Sequence, residues 1–318
     1  MIHTSKSADI VLPFEARKLK IRGRLVRLDA VVSTVLDRHA YPPLVSRLLA
    51  EALGVTAALG GAAVKEDDSI LSLQLTGDGP IGLLVADYVA PGILRGYARF
   101  EMAEVRLLSE RLAGATPTLD DCLGDGRMSI TLDTVGRHDR YQGIVELKGD
   151  SVTECVTGYF KQSEQTLSHI MSCVKAPTHK SGWRVGILMI QRIPSVLPGA
   201  ALIDVSQEVA AEDDSWGTAI ALLKTVGNGE LVGDVTGLHL IHNLFQNQNY
   251  KVYQSVEPEF GCRCSRDRVV TTLTQFPPDQ VIEMVQDGRI VVNCQFCNAS
   301  FMFTEAQIAA LMSQDNTG

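Results

Sequence analysis

The sequence predicts an α+β fold: a largely antiparallel sheet with packed helices, then a helical connector, then a small C-terminal module. Three observations carry this expectation. Strand-like segments follow one another through short turns, which favours antiparallel pairing. An Ala/Leu-rich stretch at 42–64 supplies one long apolar helix to lie on them. Four of the seven cysteines lie beyond residue 260, in the close pairs Cys262/Cys264 and Cys294/Cys297.

In chain order, "LKIRGRLVRL" at 19–28 predicts a strand. The helix at 42–64 opens on Pro42 and Pro43, which suit a first turn because its N–H groups need no helical partner. "SILSLQLT" at 69–76 alternates Leu71, Leu73 and Leu75 with polar residues, the period of a half-buried strand. "GDGP" turns the chain into "IGLLVADY", and "ILRGYARF" follows at 93–100. "RMSITLD" and "RYQGIVELK" predict a further strand pair, with a helix near 151–164 and strands near 167–175 and 183–191 after it. The composition changes after "QRIPSVLPG". Val205, Val209, Trp216, Ile220 and Leu223 share one helical face, and Gly217, Gly227, Gly229, Gly233 and Gly237 follow in short order. An interior glycine weakens a helix by roughly 1 kcal/mol relative to alanine, so this connector is expected to be less stable than its flanks. Beyond it, "PPDQVIEMV" predicts a short helix, "RIVVNC" a strand, and "TEAQ" at 304–307 a capping box opening a terminal helix. The expected division is 1–195 for the α+β domain, 196–256 for the connector and 257–318 for the cysteine-rich module.

Composition narrows the function. A hydrophobic share of 45% with 21% charged residues is a globular balance. A net charge of -8 argues against a nucleic-acid partner, which selects for clustered basic charge. No stretch approaches 18 continuous apolar residues, so no membrane span is expected, and the first residues lack a signal-peptide pattern. The expected location is cytoplasmic, where clustered cysteines bind metal or do redox work more often than they form resting disulfides. No G-x-S-x-G elbow, kinase signature, phosphate loop or H-E-x-x-H appears. Cys122, Cys155 and Cys173 read as isolated small hydrophobes, and His239 and His242 as packing or surface residues. Nothing nominates a catalytic residue or an enzyme.

The four clustered cysteines do nominate a site. Two short pairs of thiolates can surround one Zn2+ tetrahedrally, with Cys262, Cys264, Cys294 and Cys297 as ligands; an iron–sulfur cluster uses the same ligand type. The plain reading is a structural metal in a module too small to fold unaided. The sharper reading follows from that fragility. A bound metal keeps the sulfurs as thiolates, the oxidisable form. Four thiolates and one Zn2+ carry a net charge of -2, which Arg263, Arg266 and Arg268 are close enough in sequence to offset. Each pair can close locally on oxidation, and a disulfide within C-x-C or C-x-x-C braces nothing across the module. The spacing suits a metal site that oxidation can dismantle.

At "CRCSRDR" and "CQFC" the sequence resembles the zinc module of the redox-regulated heat-shock holdase chaperone family, the 33 kDa chaperonins or heat shock protein thirty-three family. "LQLTGDGPIGLLV" at 73–85, "RGYAR" at 95–99, "YFKQSEQ" at 159–165 and "ILMIQRIP" at 187–194 carry the likeness in the same order along the chain. The resemblance implies a molecular chaperone, an ATP-independent holdase of the stress response. Reduced and zinc-bound, it is inactive. Oxidation forms the Cys262–Cys264 and Cys294–Cys297 disulfides and releases the metal, and the protein then binds unfolding or oxidatively damaged proteins as a homodimer. One departure is the absence of a proline soon after "QSEQ", where Thr166, Leu167 and Ser168 stand. Two rivals remain on sequence grounds. One is a zinc-ribbon regulatory protein with an inert metal. The other is a thiol oxidoreductase using Cys294 and Cys297, which would call for a βαβ pattern beside the motif.

Overall fold

The computed structural model describes residues 9–64, 66–136, 140–179, 181–193, 205–304 and 306–307, with backbone alone over 205–213 and at Pro278. The chain divides into two compact units, Met1–Phe260 and Gly261–Gly318. The stretch expected as a separate connector falls within the first of them. The "PSVLPGA" passage, the side chains of Val205 and Val209, and the expected terminal helix after 307 lie outside the described residues.

The first unit opens with β1 (Ile10–Ala16) and β2 (Ile21–Leu28), joined by one 3-10 turn at Arg17–Leu19. The sequence reading lacked β1, because Pro13 argues against a paired strand. Next come α1 (Ala30–Leu36) and α2 (Pro43–Ala63), then the meander β3 (Ile70–Gly77), β4 (Ile81–Val89) and β5 (Ile93–Phe100). Two helices not foreseen, α3 (Met102–Leu112) and α4 (Leu119–Leu123), lead to β6 (Gly126–Asp133) and β7 (Tyr141–Glu146). Then follow α5 (Val152–Gln162), β8 (Ser168–Lys175) and β9 (Arg184–Arg192). The unit ends with α6 (Val205–Leu223), α7 (Asn228–Val232), α8 (Gly237–Phe245), β10 (Tyr250–Val252) and β11 (Glu259–Phe260).

These strands make two sheets, ordered β10-β1-β2-β9-β8 and β11-β5-β4-β3-β6-β7. Every pairing is antiparallel except β11 on β5, as the short turns predict. Helix α2 packs against strands of both sheets and is buried over most of its length. By length and composition alone α2 is apolar enough to cross a membrane, but most of it is buried inside this unit, as a core helix is. Val11, Val26, Leu28, Ile187 and Met189 of the first sheet join the cluster around α2. The alternate residues Leu12, Phe14, Leu25, Leu188 and Ile190 face a second cluster on the other side. Strands β2 and β9 are therefore buried on both faces.

The segments that carry the family likeness hold structural contacts. In "TGDGPIG", a Cβ on Gly77 would lie 1.9 Å from the Leu123 carbonyl oxygen, so the β3–β4 turn fits there only without a side chain. In "RGYAR", Arg95 donates to the buried Asp87 carboxylate at 2.8 Å, which also accepts from the Ser72 hydroxyl at 2.6 Å. In "YFKQSEQ", the Tyr159 hydroxyl donates to Glu164 Oε1 at 2.8 Å, and Tyr141 of β7 donates to the same oxygen. Gln165 has a left-handed φ of 50°, and the Thr166 N–H returns to the Phe160 carbonyl at 3.0 Å. The turn is thus closed without a proline.

One buried carboxylate gives this core a pH response. Glu51 of α2 is 8% exposed and accepts from the hydroxyls of Ser172 at 2.8 Å and Thr153 at 3.3 Å. Burial raises its pKa above the ordinary 4.5, against the opposing pull of those hydroxyls and of Arg47. The folded chain therefore keeps this proton to higher pH than the unfolded chain does. The associated stability is complete below about pH 4.5 and is lost as the pH rises through the raised value. Glu51→Gln, which can accept the same hydroxyl bonds without charge, is expected to melt above the parent at about pH 8 and to converge with it near pH 5. A gap in melting temperature that does not change with pH would contradict this account.

Candidate metal centre and the docked connector

The second unit is short of core. Its α9 (Arg266–Thr274), α10 (Pro278–Glu283), β12 (Arg289–Asn293) and β13 (Ser300–Thr304) gather round Leu273, Val281, Ile290 and Phe303 as fully buried apolar side chains. Among the described residues only these four are fully buried, with Val269, Val270, Val285, Val292 and Phe301 partly buried against them, a small core of the kind that a metal or cross-link commonly supplements. The sequence reading had α10 and β12 but not α9, whose threonine-rich stretch lacks a strong apolar stripe.

The cysteines sit at two structural ends. Cys262 and Cys264 precede α9, whose cap is Ser265: its Oγ accepts the Arg268 N–H at 3.2 Å. The helix N-terminus, with its partial positive charge, favours a nearby thiolate. Cys294 and Cys297 form the tip of the antiparallel hairpin of β12 and β13. The Cys294 N–H donates to the Ala299 carbonyl at 2.9 Å, and the Asn298 N–H to the Cys294 carbonyl at 2.8 Å. Asn298 takes a left-handed φ of 59° to close this knuckle. A C-x-x-C at a hairpin tip thus turns both sulfurs the same way.

All four Sγ atoms lie within 4.8 Å of one another, and no disulfide links them. The shortest separations run across the pairs: Cys262 to Cys294 at 3.6 Å and Cys264 to Cys297 at 3.3 Å. Tetrahedral zinc with Zn–S distances of about 2.3 Å requires sulfurs about 3.8 Å apart, so this cage fits such an ion. The electrostatics agree. At Cys262 burial disfavours the thiolate, but the Cys264 N–H and hydrogen bonds with the other three thiols outweigh it and bring the pKa down to about 7. Burial and the neighbouring sulfurs push Cys264 up, and burial also raises Cys297. The cage readily holds one negative charge and resists more, until a cation enters it. The chemistry of the donor set is that of a soft or borderline divalent metal.

Arg266 does not serve the thiolates as expected. Its guanidinium donates to the Met302 carbonyl at 2.9 Å and to Gln307 Oε1 at 3.1 Å, and stacks 4.2 Å from the Phe303 ring centroid. It ties α9 to the hairpin. Gln307 Oε1 also accepts the Thr304 N–H at 3.1 Å, one half of the expected capping box. Among the described residues the other cysteines stand apart from the cage: Cys122 and Cys155 are buried and Cys173 is half-buried. His242 Nδ1 lies 3.0 Å from the Tyr250 hydroxyl, a packing contact.

In the first unit, helices α6 to α8 cover the outer face of the β10-β1-β2-β9-β8 sheet. Ala219, Leu223, Leu231, Leu240, Ile241 and Phe245 are buried there, with Trp216 and Ile220 packed at the margin. The Phe14 and Phe245 rings stack at 5.1 Å. The connector glycines do not weaken helix interiors as expected, Gly217 excepted. Gly227 caps α7 and Gly229 lies in its first turn; Gly233 ends it at a φ of 126°, and Gly237 opens α8. They punctuate short helices.

The residue missed by sequence reasoning is Arg27. It lies on β2 and is 7% exposed. Its Nε donates to the Leu231 carbonyl at 3.1 Å, Nη1 to Val235 at 2.6 Å and Nη2 to Glu230 at 2.6 Å. Burial lowers its pKa, with Asp234 opposing. The guanidinium thus collects the loose carbonyls where α7 ends, at the negative pole of the helix. Gly186 of β9 leaves the room: a Cβ there would lie 2.4 Å from the Leu231 oxygen. An arginine inside the apolar run "LVRL" was the available signal.

The comparisons agree with this architecture. The Hsp33 protein family model matches residues 9–304. A 33 kDa chaperonin of Caulobacter vibrioides is 36% identical over 294 residues, covering 91% of this chain and 93% of the relative. One of Ectopseudomonas mendocina is 31% identical over 295 residues, covering 92% and 91%. The crystal structure of the 33 kDa chaperonin (heat shock protein 33 homolog) of Thermotoga maritima superposes with a TM-score of 0.78 at 20% identity, covering 98% of this chain and 100% of that one. The chain belongs to the Hsp33 family, a family of chaperones.

Arg266→Gln removes the fork and the stacked cation. It is expected to lower the stability of the metal-loaded second unit by about 1 kcal/mol, since the contacts are solvent-exposed. Amide exchange in β13 rising in this variant, with the first unit unchanged, is the expected reading; unchanged exchange would show that the α9–β13 tie carries no stability.

Proposed function

We propose that this Hsp33-family chain is a redox-regulated, ATP-independent holdase: inactive when reduced and zinc-loaded, and able to bind unfolding proteins once oxidised. The observation that carries the reading is the pairing of two features. One is a four-sulfur cage on which a nearly coreless unit depends; the other is a helical cover lying on a wide apolar sheet face. In this reading Cys262, Cys264, Cys294 and Cys297 hold one Zn2+, and the bound metal keeps the sulfurs deprotonated.

Oxidation balances with a peroxide as the electron acceptor. Each pair of thiolates gives up two electrons and forms one S–S bond; the peroxide takes those electrons and two protons from solvent, its O–O bond breaks, and it leaves as two waters. Two such events convert the four thiolates into Cys262–Cys264 and Cys294–Cys297 and leave the metal without ligands. The folded cage does not favour that pairing, since its shortest separations are Cys262 to Cys294 and Cys264 to Cys297. Local pairing prevails once the unit has opened, because short loops close at the lowest entropic cost. Oxidation and opening then reinforce each other, which fits a sensor of combined oxidative and unfolding stress.

The segment 196–256 acts as transmitter. The last strand of the first unit ends at Phe260, and Cys262 is the next residue but one. Loss of order beyond Gly261 leaves this end of the connector untethered, and α6 to α8 hold by their own contacts. Their release uncovers Leu12, Phe14, Leu25, Leu188 and Ile190, an apolar surface of the kind that unfolding proteins bind. Two oxidised copies joined through such faces would make the expected homodimer. No nucleic acid or membrane enters this reading, and the cytoplasm is its setting.

One comparison tests the whole. Reduced protein should carry one Zn2+ per chain, lost when the four cysteines become serine, and should let a thermally unfolding client aggregate. After peroxide at raised temperature it should be zinc-free, suppress that aggregation, and show the two local disulfides with Cys122, Cys155 and Cys173 free. Mainly cross-pair disulfides, or suppression that is equal in both states, would overturn the switch.

The cover can be tuned in both directions. Gly217 lies within α6 with nothing within 4 Å of an added Cβ, so Gly217→Ala should stabilise the connector by about 1 kcal/mol and raise the activation temperature. Arg27→Met removes two hydrogen bonds to α7 and one to Val235 just beyond it, and should allow client binding by reduced protein that still holds its zinc. Trp216 fluorescence follows the release. Arg27→Met protein that still needs oxidation, with amide protection of 228–245 intact, would show that the latch does not set the threshold.

A further inference from the structure

Residues 248–256 show what else the first sheet can hold. β10 lies antiparallel on β1, with Phe14 opposite Val252, Glu15 opposite Lys251 and Ala16 opposite Tyr250. Backbone bonds extend beyond it on both sides. Tyr253 N–H donates to the Pro13 carbonyl at 2.9 Å, and Val256 exchanges two bonds with Val11 at 2.8 and 3.0 Å. Arg17 and Lys18 donate to the Asn249 and Gln248 carbonyls at 3.3 and 3.2 Å. One extended segment thus covers the outer edge of β1. Its alternate side chains, Tyr250 and Val252, lie on the apolar cluster that includes Leu12 and Phe14.

β1 carries a mark of a strand suited to being an edge. The Pro13 carbonyl faces this segment, and in an antiparallel ladder the N–H and C=O of one residue point to the same side. The donor that proline lacks is therefore missing from the outer edge, where sheets tolerate proline and where a pairing segment loses one bond and keeps the rest. The inner ladder to β2 is complete without it.

We propose that, once the connector is released, the β1 edge takes an extended segment of an unfolding client by strand addition, in the register that 248–256 now occupies. This rests on the holdase reading above and names the class of ligand. The ligand is an unfolded polypeptide stretch with free backbone groups and apolar side chains at alternate positions. Backbone hydrogen bonds are indifferent to sequence, which gives a holdase its breadth; the alternate side chains lie on Leu12, Phe14 and their neighbours and supply the affinity. A folded protein, with its backbone already paired, presents neither. The segment 248–256 is then an internal stand-in for the client.

The test uses full-length protein, reduced or peroxide-oxidised, and a labelled peptide with the sequence of residues 248–258. A second peptide is identical except for N-methyl groups at the positions of Tyr253 and Val256, where two backbone donors are lost. The first should bind oxidised protein, not reduced protein, and compete with a thermally unfolded client. The second should bind about tenfold more weakly or worse, as expected for two lost backbone bonds. In oxidised protein the amides of Val11 and Arg17 should exchange freely, and bound client should protect them again. Oxidised protein that suppresses aggregation but treats both peptides alike, or leaves Val11 and Arg17 unprotected with client bound, overturns strand addition and leaves the holdase reading standing. Oxidised protein that suppresses no aggregation overturns both.

Discussion

The structure depends on a sheet that is apolar on both faces. Strands β2 and β9 bury nearly every residue, so neither side of them can be left to water. Helix α2 covers one side and is part of the continuous core. The other side is covered by α6 and by the two short helices α7 and α8, set apart by glycines. The same burial physics that makes the core permanent makes this cover removable. Its stabilisation comes from one apolar face and one arginine rather than from enclosure by two sheets. The switch proposed above, closed in one state and adhesive in another, would draw on this asymmetry between the two sides of one sheet.

The second unit solves a different problem with the same economy. Among the described residues its fully buried core is Leu273, Val281, Ile290 and Phe303. Structural zinc contributes on the order of 10–16 kcal/mol in peptide systems, so under the proposed reading metal loading and folding become one equilibrium. The cage geometry adds a kinetic element. The separations within the cage are shortest across the pairs, whereas short loops favour pairing within them, so the bonds that form record whether the unit had already opened.

Much of this was legible in the sequence, and what was missed has physical reasons. Alternating leucines gave β3, and the paired cysteines gave the cage, because period and ligand spacing are local properties. β1 was hidden by Pro13, whose presence is reconciled only by knowing which side of the strand is the edge. Nothing in the sequence singles out Arg27 by its partners: its three acceptors lie more than two hundred residues away and no local pattern points to them. The glycines were read as weak helix interior because sequence does not say where a helix stops. Arg266 was assigned to the nearest charge in sequence, whereas the fold places its partners on β13 and at Gln307.

The order in which the connector can let go follows from its contacts. The strand just after it, β11, is two residues long and in the proposed reading is the first to fray when the chain beyond Gly261 loses order. The Val11–Val256 pair and then β10 come next, each step costing only a few backbone hydrogen bonds, roughly 0.5–1.5 kcal/mol apiece in net terms. These steps uncover only the half-buried side chains Tyr250, Val252, Val256 and Phe260 and what lies beneath them. The next step uncovers the fully buried ones: Phe245 leaves Phe14, Ile241 and Leu240 leave the sheet, and Arg27 loses its three carbonyls as α7 lifts. The early steps are thus reversible fluctuations, and the barrier to commitment lies at α7 and α8. Under the proposed reading the unit beyond Gly261 does not have to push the cover away; once it ceases to order the chain that follows β11, the stability of α7 and α8 on the sheet decides whether the face opens.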